Sequence, residues 1–535
     1  MEYLLKELKD NNITISLNNN DLKVGFSGKT IPEALIAKIK ENKNALVEYL
    51  GSLNHKLDFE IDKATVSDNY PLSSSQRRLW VLSQDESASI AYNMPGIYFF
   101  EGNLNIISLE YAFNTLINRH ESLRTVFRED ENELVRQYIY SPEKLQFSIS
   151  YQKTVTEEDL QKCIHNELTK PFDLAAGPLI RVNLFNTDDK KCVLVYIMHH
   201  IISDGWSLNI LTSELLSLYE SHNQGRQALL PPLRIQYKDY AVWQQSSLNN
   251  EILSVQKKYW LKQFEGKLPV MELAKSKIRP KIRTYSGKTI TREINSDLSK
   301  ELKIVLQQQS SSLFMGLLAI VYTLLYKNTG DEDIIVGSPI AGRENIDLEN
   351  QIGFYANTLA LRTQFNREDS FSKLLGIVKR VTMNAFEFQH YPFDELIEAL
   401  SIMRDTSRNV LFDVWVVLHN TVMKKNMTKR SVGLPEITGY QGDQHVISKF
   451  DLLFGFSDTD GQINVAIDYN TDILSHKEAE NLIDQFEKIL TIIIKNPSLK
   501  LLDIAQMMNE DEKERQKEHL QNVRMKNLTN LKNRG

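Results

Sequence analysis

Lys191-Cys192-Val193-Leu194-Val195-Tyr196-Ile197-Met198-His199-His200-Ile201-Ile202-Ser203-Asp204-Gly205-Trp206-Ser207 is the stretch on which the fold turns. Its first half is an almost unbroken apolar and β-branched run, which predicts a buried strand. Behind it Leu208, Leu211, Leu215 and Leu218/Tyr219 recur at helical spacing, so a helix begins near Ser207. A core strand that breaks at an Asp-Gly turn and runs into a helix points to an α/β or α+β fold. Side chains alternate along a strand, so only one of His199 and His200 faces a given cavity. Polar groups at the end of a buried strand need a partner or a task. The plain reading makes both histidines satisfied core groups and Asp204 the cap of the next helix. The chemical reading makes one histidine reactive.

Composition narrows the classes. The chain has 535 residues, enough for more than one domain, and 42% hydrophobic content supports real cores. A net charge of −6 argues against nucleic-acid binding. Cys163 and Cys192 are the two cysteines, too few for a disulfide framework or a Cys-based zinc site. Cys192 sits in the buried strand and reads as a small core residue. Charges interrupt the apolar residues after Met1, so no secretion signal is indicated, and the apolar run Leu313 to Tyr326 is too short to span a membrane. A soluble, cytoplasmic, multi-domain protein is expected.

Residues 1–55 form a unit of their own. Tyr3, Leu4, Leu5 and Leu8 suggest a short helix, Ile13 to Leu17 and Leu22 to Phe26 alternate like strands around an Asn-rich turn, and Pro32 opens a second helix. Such a small αββα-type unit exposes a strand edge that can accept a partner peptide. Residues 56–67 read as a polar linker. The body then alternates strands and helices in two α/β lobes of comparable size, 68–235 and 236–505, with Pro231-Pro232 near their junction and one long helix expected over 237–264. Residues 506–535 read as a charged tail.

Several strings fall in one order. Ser73-x-Ser75-Gln76-x-Arg78-Leu79-Trp80, Arg119-His120-Glu121-x-Leu123-Arg124-Thr125-x-Phe127, the Met198–Ser207 string, Tyr237-x-Asp239-Tyr240-Ala241-Val242-Trp243-Gln244, Ile352 to Leu359, His390-Tyr391-Pro392-Phe393-Asp394-Glu395-Leu396 and Arg404 to Asp413 follow one another. Together they resemble the condensation domains of non-ribosomal peptide synthetases across roughly residues 66–500. The departures are Ser75 where Ala is usual, Tyr355-Ala356 for an aromatic–Val pair, and Val410 where Pro is common. The resemblance implies two chloramphenicol-acetyltransferase-like lobes in a V-shaped pseudo-dimer, with a tunnel that donor and acceptor enter from opposite faces. It implies a substrate carried on the phosphopantetheine of a partner carrier protein, with no cofactor held by the chain itself. The first 55 residues resemble N-terminal docking domains of the tubulysin-synthetase type. That implies an upstream synthetase partner whose acidic C-terminal tail is received by Leu22, Lys23, Val24, Phe26 and Lys29.

The implied reaction is amide formation, in which an amine attacks a peptidyl thioester. An α-amine has a pKa of roughly 7.7–8.0, so alignment and removal of one proton are needed more than a strong base. His200 is the expected reacting histidine, as base or as positioner. Gly205 is expected to allow close backbone approach and to offer an N–H to the oxyanion. His199 and Asp204 are expected to be structural, and the resemblance pairs Asp204 with Arg343. Arg78, Arg124, Trp206, Ser207, Asn357 and Arg408 are expected to be lobe scaffolding or tunnel lining. No metal is expected, because adjacent histidines on a strand cannot both reach one ion. Without a carrier-type Ser or a nucleotide loop, the chain is expected to be a terminal condensation protein that releases a peptide onto a free amine. The alternatives are an elongating domain with a carrier-bound acceptor, a coenzyme-A-dependent acyltransferase, a non-catalytic carrier-binding module, and an esterase using Ser203 or Ser207.

Overall fold

The computed structural model describes residues 13–18, 21–26, 33–43 and 46 near the N-terminus. Beyond these it describes residues 60–514 and 517, apart from 103, 153–155, 189–190, 249, 274–275, 403–404, 420–435 and 440–446. The chain divides into two compact units, Met1–Asp62 and Lys63–Gly535.

In the first unit β1 (Ile13–Asn18) and β2 (Asp21–Phe26) pair antiparallel from Ile13↔Phe26 to Asn18↔Asp21. The helix Glu33–Glu41 follows, with Leu35, Ile39 and Leu46 buried at helical spacing. The helix expected over Tyr3 to Leu8, and Lys29, lie outside the described residues.

In the second unit one lobe is built on a five-stranded sheet. Its strands are β4 (Asn93–Glu101), β7 (Ser150–Gln152), β8 (Ile180–Asp188), β9 (Lys191–His199) and β14 (Glu436–Gly439), in the order β14-β4-β9-β8-β7. β9 is central, and every residue from Cys192 to His199 is buried, as its apolar run requires. Its pairing with β4 sets Gly96 opposite Tyr196, and a Cβ at Gly96 would fall 2.2 Å from the Tyr196 ring. The ring lies over that glycine, and the Tyr196 hydroxyl bonds Thr212 at 2.9 Å, which ties the strand to the helix that follows it. β14 comes from the C-terminal half of the chain. The expected boundary at 235/236 therefore does not separate the two sheets, because the edge of β4 pairs its backbone with residues 436–439. Strands Tyr70–Pro71, Thr125–Glu129 and Val135–Ile139, numbered β3, β5 and β6, make a small separate sheet.

The second lobe carries the six-stranded sheet β10-β16-β15-β13-β11-β12, made of Gly287–Glu293, Gln462–Asn470, Leu452–Thr459, Val414–His419, Asp333–Ile340 and Asn357–Gln364 in that spatial order. The helix Leu313–Thr329 is buried all round from Gly316 to Tyr326, which accounts for a sequence with no polar face. Two expectations change. The helix expected over 237–264 is broken into Tyr237–Ser247 and Glu251–Gln263, because Asn250 caps the second piece by accepting from the Leu253 N–H at 2.8 Å. The tail expected from 506 begins later: residues 501–514 are helical, and Leu501, Ile504, Ala505 and Met508 are buried in the lobe's core at helical spacing. Among the described residues no single helix is long and apolar enough to cross a membrane.

Candidate active site

β9 ends at His199, and a 3-10 turn over His200–Ile202 leads to Asp204, the N-cap of helix α1 (Gly205–Asn223). The backbone N–H of His199 donates to the Leu179 carbonyl and that of His200 to the Tyr92 carbonyl, so the residues that lead into β8 and β4 hold both in place. The two rings then part. His199 is fully buried; its Nδ1 accepts from the Ile201 N–H at 3.2 Å and its Nε2 lies 3.4 Å from the Ser83 hydroxyl. Burial, then the charges around it, push His199 down to about 3, so it stays neutral.

His200 opens on a cavity of about 280 Å³ between the lobes. One wall comes from the first lobe, with Ser75, Arg78, Leu79, Tyr92 and His200; the other includes Phe354, Asn357, Asp394, Asn409 and Lys449. The His200 ring meets Phe354 edge-on at 4.6 Å and Tyr92 at 6.2 Å, and its Nδ1 has no hydrogen-bond partner among the described residues. Burial first, and the Lys449 charge second, push His200 down to about 3. It is a neutral imidazole with no carboxylate paired to it among the described residues.

Asp204 is buried behind the turn, away from the cavity lining. Its Oδ1 accepts from the Ser207 N–H at 2.8 Å, the Ser207 hydroxyl at 2.7 Å and Arg343 at 3.0 Å; its Oδ2 accepts from Arg343 at 3.2 Å and the Tyr355 N–H at 3.0 Å. Helix capping and the Arg343 pair are thus one arrangement. Arg343 also donates to the carbonyls of Leu348 and Gln351 and to the Ser207 hydroxyl, and it lies 4.3 Å over the Tyr355 ring. The histidine turn of one lobe is therefore bolted to the 343–355 loop of the other. Gly342 permits this approach: φ is +63° there, and a Cβ would fall 2.1 Å from the Tyr355 carbonyl oxygen. Gly342→Ala is expected to cost about 1–3 kcal/mol, read as a lower urea midpoint.

The other singled-out residues separate by place. Arg78 and Asn357 line the His200 cavity. Arg78 pairs with Asp394 at 3.1 Å across the lobes, while Asn357 donates to the carbonyls of Gln389 and Tyr391 and accepts from the Phe393 N–H. Ser207 belongs to the Asp204 cluster, and half-exposed Trp206 donates to the Glu349 carbonyl at 2.9 Å. Arg124 donates to the Tyr140 carbonyl, and Arg408 joins Asp413 to the Met271 carbonyl at a separate groove. His120 bonds Glu214 at 2.8 Å and His390 bonds Glu344 at 2.7 Å. Gly205 is exposed as the first residue of α1 and is not among the residues that line the His200 cavity. Leu22, Lys23, Val24 and Phe26 lie on β2. No group of three or more His, Cys, Asp or Glu that could hold a metal occurs among the described residues.

Sequence reasoning missed Tyr92 and Lys449. A lysine three residues ahead of the apolar start of β15 was the available signal, since charges are rarely placed at the end of a buried strand.

Residues 66–516 match the family model described as "Condensation domain". The chain belongs to the condensation-domain family. Members of that family are amide-bond-forming acyltransferases. Among curated relatives, gramicidin S synthase 2 of Brevibacillus brevis is 38% identical over 474 residues, covering 88% of this chain and 10% of that synthase. Tyrocidine synthase 3 of Brevibacillus parabrevis is 37% identical over 493 residues, covering 92% of this chain and 7% of that synthase. The condensation domain thus spans a small part of the synthases it matches. In fold it is similar to the X-domain from teicoplanin biosynthesis, with a TM-score of 0.75 at 23% identity over 83% of this chain and 98% of that one.

Proposed function

We propose that this condensation domain joins a carrier-bound peptidyl thioester to an amine in the cavity beside His200. The amine nitrogen forms a bond to the thioester carbonyl carbon, the C–S bond breaks, and the proton shed by the amine ends on the leaving thiolate. The observation that supports this reading is the His200 ring itself: neutral, set in the wall of an interlobe cavity, with backbone groups of His200 and Ser203 beside it and no carboxylate partner among the described residues. An imidazole with no anionic partner poorly supports a lasting positive charge, so its role is to align the amine and pass its proton on. Asp204 and Arg343 hold the turn, since both carboxylate oxygens are already engaged by donors away from the cavity. No oxyanion role is assigned to Gly205.

The donor arrives on the phosphopantetheine arm of a partner carrier. A carrier-bound aminoacyl acceptor suits a domain whose relatives are long synthases; release onto a free amine demands the same chemistry of His200. Residues 1–55 are read as a docking unit of the tubulysin-synthetase type. The open edge of β2 would add the acidic tail of an upstream synthetase as a further strand, with Lys23 and Lys29 drawing it in.

One assay tests these points. The protein is mixed with a carrier bearing a peptidyl thioester, and with a free amine, an aminoacyl carrier, or neither, and products are read by mass spectrometry. Amide formed only with an amine present is the expected result; hydrolysis in every arm would overturn the reading. The arm that reacts identifies the acceptor. Reversing Lys23 and Lys29 to Glu is expected to slow transfer from a carrier linked to the upstream tail about tenfold and to leave transfer from a tail-less carrier unchanged.

A further inference from the structure

One charged group in the cavity wall has no role so far. Lys449 follows Ser448 just before β15, and its side chain lines the same 280 Å³ cavity as His200. Its ammonium lies 4.7 Å over the Tyr92 ring, and that ring stands 6.2 Å from the His200 ring. Tyr92 thus touches both groups, the cation over its face and the imidazole edge-on. No carboxylate lies within ion-pair distance of Lys449 among the described residues; Asp394, the carboxylate in the cavity lining, is paired with Arg78 at 3.1 Å. Arg283, stacked on Tyr285 at 4.7 Å, adds positive charge near Tyr92 from the same lobe, whereas Arg181, near His199, is offset by Glu167 at 3.5 Å. Among the described residues, Lys449 and Arg283 therefore leave the surroundings of His200 with an excess of positive charge.

We propose that Lys449 is a positioning residue for the acyl transfer: an unpaired cation whose field keeps both the His200 imidazole and the bound amine in their uncharged forms. This rests on the amide-forming reading given above. An ammonium entering beside a fixed cation in a low-dielectric cavity loses its proton more readily, so the amine arrives as a nucleophile without a strong base. Burial holds Lys449 down to about 8, which still leaves it mostly charged at pH 7. The cation–π contact with Tyr92 supplies the attraction that a carboxylate would otherwise give, without cancelling the field.

The test compares wild type with Lys449→Met, Lys449→Gln and Lys449→Arg. Removing an unpaired buried charge relieves desolvation, so the neutral variants are expected to fold at least as stably as wild type. In both, the acid limb of the kcat–pH profile is expected to move up by about one pH unit, and the His200 NMR titration midpoint to rise with it. Lys449→Arg, which keeps the charge, is expected to retain the wild-type limb. A purely structural lysine would lower kcat evenly at every pH, and an unmoved limb and midpoint in the neutral variants would overturn the proposal. If the wild-type protein forms no amide at all, the acyl-transfer reading falls, while the His200 titration still decides what Lys449 does.

Discussion

Replacing Asp204 with alanine is expected to lower the stability of the condensation domain by about 3–5 kcal/mol, and with it the soluble yield. Asp204 and Arg343 are both almost fully buried, with side-chain exposures of 2% and 1%. Without the carboxylate the guanidinium keeps its carbonyl partners but loses its counter-charge, and a buried unpaired charge is costly. The same change removes the cap of α1 and a hydrogen bond to Tyr355, so the losses share one cluster and do not simply add. Asp204→Asn keeps an acceptor for the Ser207 N–H and is expected to fall between wild type and Asp204→Ala. The measurement is urea unfolding, with the midpoint displaced and the slope preserved. A variant as stable as wild type yet inactive would transfer Asp204 from holding the turn to taking part in the reaction.

His200→Ala is expected to behave in the opposite way. The ring is half-buried against a cavity, it bonds no other side chain among the described residues, and truncation enlarges a space that already exists, so stability should change by no more than about 1 kcal/mol. Amide formation is expected to fall by about 10²–10⁴-fold, the range for losing a positioned proton-transfer group. His200→Gln separates the two roles left open by the sequence. A glutamine carbonyl can accept a hydrogen bond from the amine but cannot take its proton, so partial recovery over alanine marks alignment and no recovery marks proton transfer. Single-turnover amide formation from a loaded carrier is the readout. Turnover unchanged in His200→Ala would remove this residue from the mechanism.

Local pattern carried much of this architecture. The apolar run 192–198 placed a buried strand, and the leucines after Ser207 placed a helix within two residues of its observed start at Gly205. Strand alternation predicted that His199 and His200 face different ways; the two rings do part, but because β9 ends at His199 and His200 opens the 3-10 turn. The pattern failed where a single side chain outweighed periodicity. Asn250 stops a helix that apolar spacing would continue, and Met508 draws a charged segment into the core.

The amino-acid sequence by itself determined the lobed α/β fold, the family and the place of the histidine turn, because these rest on periodicity and on motifs whose residues lie close along the chain. What only the tertiary structure decided is how groups distant along the chain meet. Arg343 reaches Asp204 from 139 residues away, and Lys449 shares a cavity with His200 although the two belong to different lobes. Gly205, next to the motif's aspartate, does not line that cavity. Spacing in sequence fixes neighbours within one strand or helix turn; contact across a lobe interface depends on how two independently formed sheets pack, and no local pattern encodes that distance.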